Sequence, residues 1–392
     1  MDLNYFALTA ITAFVITYLS IPSLIKVAQE KHLYDEPNEK RKSHKNSIPT
    51  LGGVAIFGGS FISATLFVNF EKLPEFAYAL PAFVLLFFTG VKDDIIPLTP
   101  RKKLLAQILA SLIIVLKCDI RLTHFYGFLG MDEISYIFSV IISIFTLLVI
   151  INSFNLIDGI NGLAGGIGLI VSITFSYLFY ELGQFELMIL ALALAGSLGA
   201  FLCYNLAVEA KIFMGDTGSL LIGLFLAMFS LEFIEINRMT GNLFEVTFAP
   251  VFVFTMLIIP LFDTLRVFII RIVQRKSPFK GDRNHLHHFL LDLGMAHWQA
   301  SILLYIVSIA FIILALLIQD APRIWSLTII LVSAILMSTL LAHLRSEHKK
   351  RQHILLISIK PKPIPAVNSR HVNPQKKIKV ETAGKYLESE QV

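Results

Sequence analysis

Eleven apolar runs leave this chain little freedom in how it folds. They lie near residues 3–25, 51–70, 76–91, 104–118, 135–152, 162–181, 186–204, 217–236, 246–271, 300–318 and 324–343. An α-helix needs roughly 17 to 25 such residues to cross a hydrocarbon core about 30 Å thick, and most of the runs reach that length, the 104–118 run being short. With 55% hydrophobic and only 16% charged residues, the chain is more apolar and less charged than a soluble domain. The expected fold class is therefore an all-α polytopic integral membrane protein of about eleven transmembrane helices, and an odd count puts the termini on opposite faces. Residues 1–344 are expected to form the membrane domain with its cytoplasmic loops. Residues 345–392 are expected to be a basic, flexible cytoplasmic tail held loosely at the anionic membrane surface.

The positive residues give the orientation, because Lys and Arg are retained on the cytoplasmic side of short loops. With the N-terminus outside and the C-terminus cytoplasmic, the inner loops and tail collect most of the Lys and Arg. The outer loops keep only Lys72, Lys117, Arg121, Arg238 and Arg323. The first span lacks a positive leading region and a small-residue cleavage site, so it reads as a retained anchor. Cys118 and Cys203 fall at opposite faces, and nothing suggests a disulfide framework.

Polar clusters then gather on the inner face. Lys40-Arg41-Lys42-Ser43-His44-Lys45 is basic enough to attract anionic headgroups or phosphates, although topology alone accounts for its lysines. Gly52 and Gly53 would let a helix start close to another backbone. Asp93-Asp94 follows an apolar run ending at Val91; adjacent carboxylates at a membrane boundary call for a shared cation or a proton, or for pairing with Lys92 or Arg101. Pro97 and Pro100 stop a helix through that loop, and Lys103 stands at the start of the next span. The central loop carries Asn155, Asp158 and Asn161 at intervals of three residues. If the following helix starts early, these three share a face and converge on one ligand; otherwise Asp158 or Asn161 is an N-cap among turn glycines. Asp216, between Gly215 and Thr217-Gly218-Ser219, is either a metal ligand beside phosphate-facing N–H groups or an ordinary cap.

Two further features complete the set. Asp263 and Arg266 stand at i, i+3 inside a span and read as an internal ion pair, while Arg271 lies nearer the inner surface as a candidate phosphate contact. His285, His287 and His288 suit phosphate or sugar contact better than Mg²⁺, which prefers oxygen. Gly165, Gly166, Gly168, Gly196 and Gly199 read as close helix packing. All the motif carboxylates lie at one surface and no internal repeat is evident, which favours an enzyme over the other polytopic class in view, a secondary transporter.

In order along residues 1–344, Pro49-Thr50-Leu51-Gly52-Gly53, Asp93-Asp94, Asn155-Leu156-Ile157-Asp158-Gly159, Phe213-Met214-Gly215-Asp216-Thr217-Gly218-Ser219 and His285-Leu286-His287-His288 resemble the polyprenyl-phosphate N-acetylhexosamine-1-phosphate transferase family. The His string is similar to that of its GlcNAc-1-phosphate branch; the branch acting on the muramoyl-pentapeptide donor typically has three consecutive histidines. The resemblance implies transfer of a sugar 1-phosphate from a UDP-N-acetylhexosamine to undecaprenyl phosphate at the inner leaflet of the plasma membrane, with release of UMP. It implies Mg²⁺ as cofactor, with Mn²⁺ as a substitute. By the same resemblance Asp216 and Asn155 are the metal candidates, Asp93 and Asp94 the catalytic pair near the acceptor phosphate, and Asp158 an active-site carboxylate. Lys103, Asn161, Arg271, His285, His287 and His288 are the expected substrate contacts. Many relatives carry a second Asp where this chain has Asn161. Partners expected are the UDP-sugar, undecaprenyl phosphate, membrane lipids and a second copy, since the family commonly dimerises; no nucleic acid is expected. Direct attack by the lipid phosphate and a covalent aspartyl intermediate both remain open.

Overall fold

The computed structural model describes residues 3–31, 33, 48–128, 131–207, 209–239, 246–276 and 284–359. Two compact units divide the chain, Met1–Arg345 and Ser346–Val392. The helices are α1 (Leu3–Glu30), α2 (Gly52–Phe67), α3 (Pro74–Ile95), α4 (Pro100–Lys117), α5 (Tyr136–Ile157), α6 (Leu163–Glu181), α7 (Phe185–Asn205) and α8 (Gly215–Met239). They continue with α9 (Ala249–Met256), α10 (Ile258–Val273), α11 (Leu286–Asp292), α12 (His297–Leu317) and α13 (Arg323–Ile359). Among the described residues, eight helices are long and apolar enough to cross a membrane, and nine if α9 and α10 form one broken span. The chain is thus a multi-pass membrane protein. Helix α2 is apolar but has 16 residues, and α4 opens on Arg101-Lys102-Lys103, so neither passes on length and composition alone.

Helix α8 is the pillar. Of its most apolar stretch 83% is buried, and Phe225, Phe229 and Phe233 on it pack against Phe83 of α3, Phe175 and Phe179 of α6, and Phe252 of α9. Helices α1 and α13 bury only 22% of the corresponding stretch, and Leu8, Ile11, Leu19, Ile335, Leu336 and Leu340 stand exposed on them. Apolar side chains on the outside are what a hydrocarbon solvent selects. Helix α10 shows this inversion in one turn pattern: Asp263, Val267 and Arg271 are buried at a spacing of four, while Leu265, Ile269, Ile272 and Val273 face out.

Several expectations change. The 246–271 run is not one straight helix, because α9 and α10 meet at an angle of 83°. Pro260 sits in the first turn of α10, where it has no N–H to give and its ring would collide with the preceding turn of a continuous helix. The chain is not wholly α: β1 (His124–Phe128) and β2 (Met131–Glu133) form an antiparallel hairpin in the loop before α5, and the buried Tyr126 hydroxyl donates to the Ile234 carbonyl. Helix α3 runs on past Val91, so Asp93 and Asp94 occupy its last turn rather than a loop. Helix α11 turns the His string into a helix entrance. Helix α13 continues beyond residue 344 to Ile359, so 345–359 is helical where a flexible tail was expected. Residues 40–45, 280, 282 and 283 and the rest of the tail lie outside the described residues. Cys118 and Cys203 are both free.

Candidate active site

The site grows from the first turn of α8. The strand-like segment before it, Phe213-Met214, is clamped to the entrance of α2: Phe213 N donates to the Pro49 carbonyl at 2.7 Å, Gly52 N to Phe213 O at 2.9 Å and Gly53 N to Met214 O at 2.8 Å. The helices cross closely enough that a Cβ on Gly53 would lie 2.1 Å from Gly218 N, and one on Gly90 of α3 would lie 2.3 Å from Thr217 Cα. That approach delivers Asp94. Its carboxylate accepts from Asp216 N at 2.6 Å, Thr217 N at 3.1 Å and the Thr217 hydroxyl at 2.5 Å. The first N–H groups of a helix lack partners of their own and carry the positive end of its dipole, so a carboxylate from another helix satisfies both needs. The α8 N–H groups at Asp216 and Thr217 therefore face Asp94 rather than a phosphate, and neither residue is its own helix's cap.

Asp93 points elsewhere. It accepts from Leu98 N in the turn into α4 and meets Lys103 Nζ at 2.6 Å; the same ammonium lies 2.9 Å from Asp216 Oδ1. One cation thus bridges carboxylates from α3 and α8, where the sequence led one to expect a substrate contact. One turn deeper, Gln107 of α4 and Asn152 of α5 exchange side-chain amide hydrogen bonds of 2.8 and 3.3 Å. This tie sets Asn155 beside the cluster, where its amide donates to Asp216 and, at 2.9 Å, to Ser219 Oγ. The Asp93 side chain is 6% exposed and that of Asp216 30%, so Asp216 is the carboxylate open to an incoming group.

Asn155, Asp158 and Asn161 do not share a helical face. Asn155 is in the last turn of α5, and Asp158 to Gly162 form the turn before α6. The turn is held by residues that sequence reading did not single out. Asn205 accepts from Gly162 N at 2.5 Å and donates to the Ile212 carbonyl at 2.7 Å; Ser301 donates to the Asn161 carbonyl at 2.7 Å; and the Tyr305 hydroxyl donates to Gly162 O. An Asn ending an apolar helix was the available signal for the first; a lone Ser and Tyr on α12 gave none. Asn161 is buried, and its side chain is not among those bonded around Lys103. Asp158 is half-buried, and its carboxyl is pushed well above its ordinary value, by loss of water first and then by the charges of Asp216 and Asp94.

Across that turn lies the His cluster. Asp263, buried on α10, accepts from His285 Nδ1 at 2.9 Å, from Leu286 N at 3.1 Å and from Arg266 at 2.7 Å. The expected Asp263–Arg266 ion pair is present, but it also anchors the start of α11, a role not read from the sequence. His287 packs on Gly159, where a Cβ would fall 2.6 Å from His287 Nε2. Its ring is buried, and its pKa is pulled down to about 3 by burial and then by the neighbouring His288. The ring centroids of His285 and His287 are 5.6 Å apart, and those of His287 and His288 are 4.3 Å apart. Arg271 is 3% exposed. The central turn therefore meets His287 at Gly159, while Asn155 just before it joins the Lys103-bridged carboxylates.

Among the described residues, no three His, Cys, Asp or Glu side chains form a ready metal cage. Mg²⁺ asks for none, being held by one or two carboxylates plus substrate phosphates. Asp216, with its open oxygen, fits that demand. Asn155 fits too, since half a turn of its amide brings oxygen where nitrogen now stands.

A helical bundle with an apolar exterior, carrying a Lys-bridged carboxylate cluster and a His cluster at its helix ends, is the architecture of a membrane protein with a polar site. The chain belongs to glycosyl transferase family 4, whose family model matches residues 76–234. It is 30% identical over 335 residues to a Bacillus subtilis (strain 168) protein named probable undecaprenyl-phosphate N-acetylglucosaminyl 1-phosphate transferase, covering 83% of this chain and 90% of that one. It is 29% identical over 283 residues to the Yersinia pestis undecaprenyl-phosphate alpha-N-acetylglucosaminyl 1-phosphate transferase, covering 71% and 75%. The Escherichia coli (strain K12) protein of that name is 28% identical over 308 residues, covering 78% and 81%.

Proposed function

We propose that this protein transfers N-acetylglucosamine 1-phosphate from UDP-GlcNAc to undecaprenyl phosphate, releasing UMP and starting a lipid-linked cell-envelope polysaccharide. The observation that carries the reading is the Lys103 ammonium held between Asp93 and Asp216, at the ends of α3, α4, α5 and α8 that all fall on one side of the bundle. That side is the cytoplasmic face of the plasma membrane, with eleven crossings, an outside N-terminus and an inside C-terminus; α2, α4 and the broken α9–α10 pair complete the eight longer spans.

In the reaction an oxygen of the lipid phosphate attacks the sugar-bearing phosphorus of the donor in line. The bond between that phosphorus and the bridging oxygen breaks, and the oxygen leaves on UMP. Asp93, the carboxylate next to Lys103 with no helix to cap, orients the acceptor through the ammonium that it holds. Lys103 holds negative charge at the junction of donor and acceptor. His285, His287, His288 and Arg271 contact the donor phosphates and sugar, Asn161 the uracil or sugar, and Asp158 lies between the two groups. Asp216 with Asn155 would hold Mg²⁺, or Mn²⁺ in its stead, which supplies neutralisation of the diphosphate charge. His287, neutral at physiological pH, donates or accepts a hydrogen bond without adding charge.

The test is transfer of labelled GlcNAc 1-phosphate from UDP-GlcNAc to undecaprenyl phosphate by the purified protein, with and without Mg²⁺ and beside Asp216→Asn. Metal-dependent lipid product lost in the variant is expected. Product only with another UDP-N-acetylhexosamine, such as the muramoyl-pentapeptide donor, would overturn the donor; no product from any donor would overturn the reaction.

A further inference from the structure

Asp93 and Asp94 are neighbours in the chain and serve different groups. Asp93 faces Lys103 and the turn into α4. Asp94 faces away from it, with Oδ1 accepting from Asp216 N and Oδ2 accepting from Thr217 N and Thr217 Oγ1. Three donors on two oxygens, in a crossing where α3 approaches α8 at Gly90, leave this carboxylate committed. A carboxylate so engaged is poorly placed to relay the acceptor's proton. It is well placed to orient a neighbour, because Asp216 is the residue whose N–H it grips, and the Asp216 side chain meets Lys103 and Asn155.

We propose that Asp94 is a positioning residue, a helix cap supplied across the α3–α8 crossing that fixes the direction in which α8 presents Asp216. Its kinetic consequence rests on the transferase function proposed for this site; the cap itself does not. Removing the cap loosens the first turn of α8 and so weakens whatever Asp216 holds. The adjacent aspartates then divide the labour, one acting on substrate and one on the geometry of a third.

The experiment compares the full-length protein with Asp94→Asn, Asp94→Ala, Thr217→Val, the Asp94→Asn/Thr217→Val double variant and Asp93→Asn. It reads transfer kinetics across pH, Mn²⁺ binding to substrate-free protein by electron paramagnetic resonance, and the thermal unfolding midpoint in detergent. Asp94→Asn keeps one oxygen, enough for the Asp216 N–H on which the cap's direction rests, and gives up the acceptor of the Thr217 N–H. It is expected to retain at least about a tenth of kcat with an unmoved pH profile, whereas Asp94→Ala binds Mn²⁺ about tenfold more weakly and unfolds earlier. The double variant is expected to be no worse than its weaker parent, because both changes break one contact. Asp94→Asn as inactive as Asp93→Asn, with Mn²⁺ affinity and midpoint unchanged, would overturn the proposal and make Asp94 catalytic. Asp94→Ala with parental Mn²⁺ binding and midpoint would overturn it as well. If Asp94→Ala does not fold, Asp94→Asn and Thr217→Val carry the comparison. If the parent protein transfers nothing, the transferase reading fails, while the midpoints still decide the cap.

Discussion

Lys103 is the residue on which most of the site's charge balance rests. Asp93 is nearly sealed from water, and the ammonium 2.6 Å away is its cationic partner. Lys103→Met would leave that carboxylate buried and unpaired, a change that typically costs about 3 to 5 kcal/mol. The expected result is a lower unfolding midpoint together with loss of transfer; a midpoint equal to the parent's would show that the bridge holds nothing together. Asp158 and His287 act on stability through pH, with opposite slopes. The folded carboxyl of Asp158 lies well above the ordinary 3.8, so the unfolded chain loses its proton first and stability falls as pH rises from 3.8 to that raised value. His287 is held at about 3 against an ordinary 6.5, so the unfolded chain gains a proton first and stability falls as pH drops from 6.5 towards 3. In metal-free, substrate-free protein, Asp158→Asn should remove the first slope and leave the protein more stable at neutral pH while abolishing transfer. A pH profile identical to the parent's would refute this.

At the scale of elements, most of the spans were legible and their ends were not. Apolar length gives a helix a place; it says nothing of the last polar turn, so Asp93 and Asp94 read as loop residues although α3 carries them. Pro260 was visible inside the 246–271 run, yet whether a proline kinks or breaks a span depends on the neighbours that satisfy the freed backbone groups. The carboxylates, Lys103 and the histidines stood out because charge beside apolar runs is conspicuous. Asn205 did not, because a single amide at a helix end is ordinary until both its partners are seen. Its two hydrogen bonds join the central turn to the segment before α8, and Asn205→Ala should destabilise the protein by about 1 to 3 kcal/mol and lower kcat more than it raises KM. Parental kinetics in a destabilised Asn205→Ala would separate the turn from the chemistry. Gly90→Ala puts a methyl into the backbone of Thr217; the crossing has to open, and detergent-solubilised protein should show both earlier unfolding and weaker Mn²⁺ binding. Unchanged values would mean that α3 can move aside freely.

For the whole molecule, the site residues around Lys103 come from helix ends far apart in sequence, brought together because the helices between them cross the bundle repeatedly. The proposed orientation makes a direct prediction. In a Cys203→Ser background, where Cys118 is buried, Lys72→Cys should react with a membrane-impermeant thiol reagent in intact cells. Lys211→Cys should react only after permeabilisation; the reverse pattern would invert the topology, and reaction of both in intact cells would break the span count. The capping contact also has a consequence in time. Asp94 and the N–H group that it grips are 122 residues apart, which at a synthesis rate of about 5 to 20 residues per second is roughly 6 to 24 s of elongation. Throughout that interval the end of α3 has entered the bilayer without its partner. Until α8 emerges, water at the membrane surface serves the carboxylate of Asp94, so the site is complete only once α8 has been made and has exchanged that water for its own N–H groups.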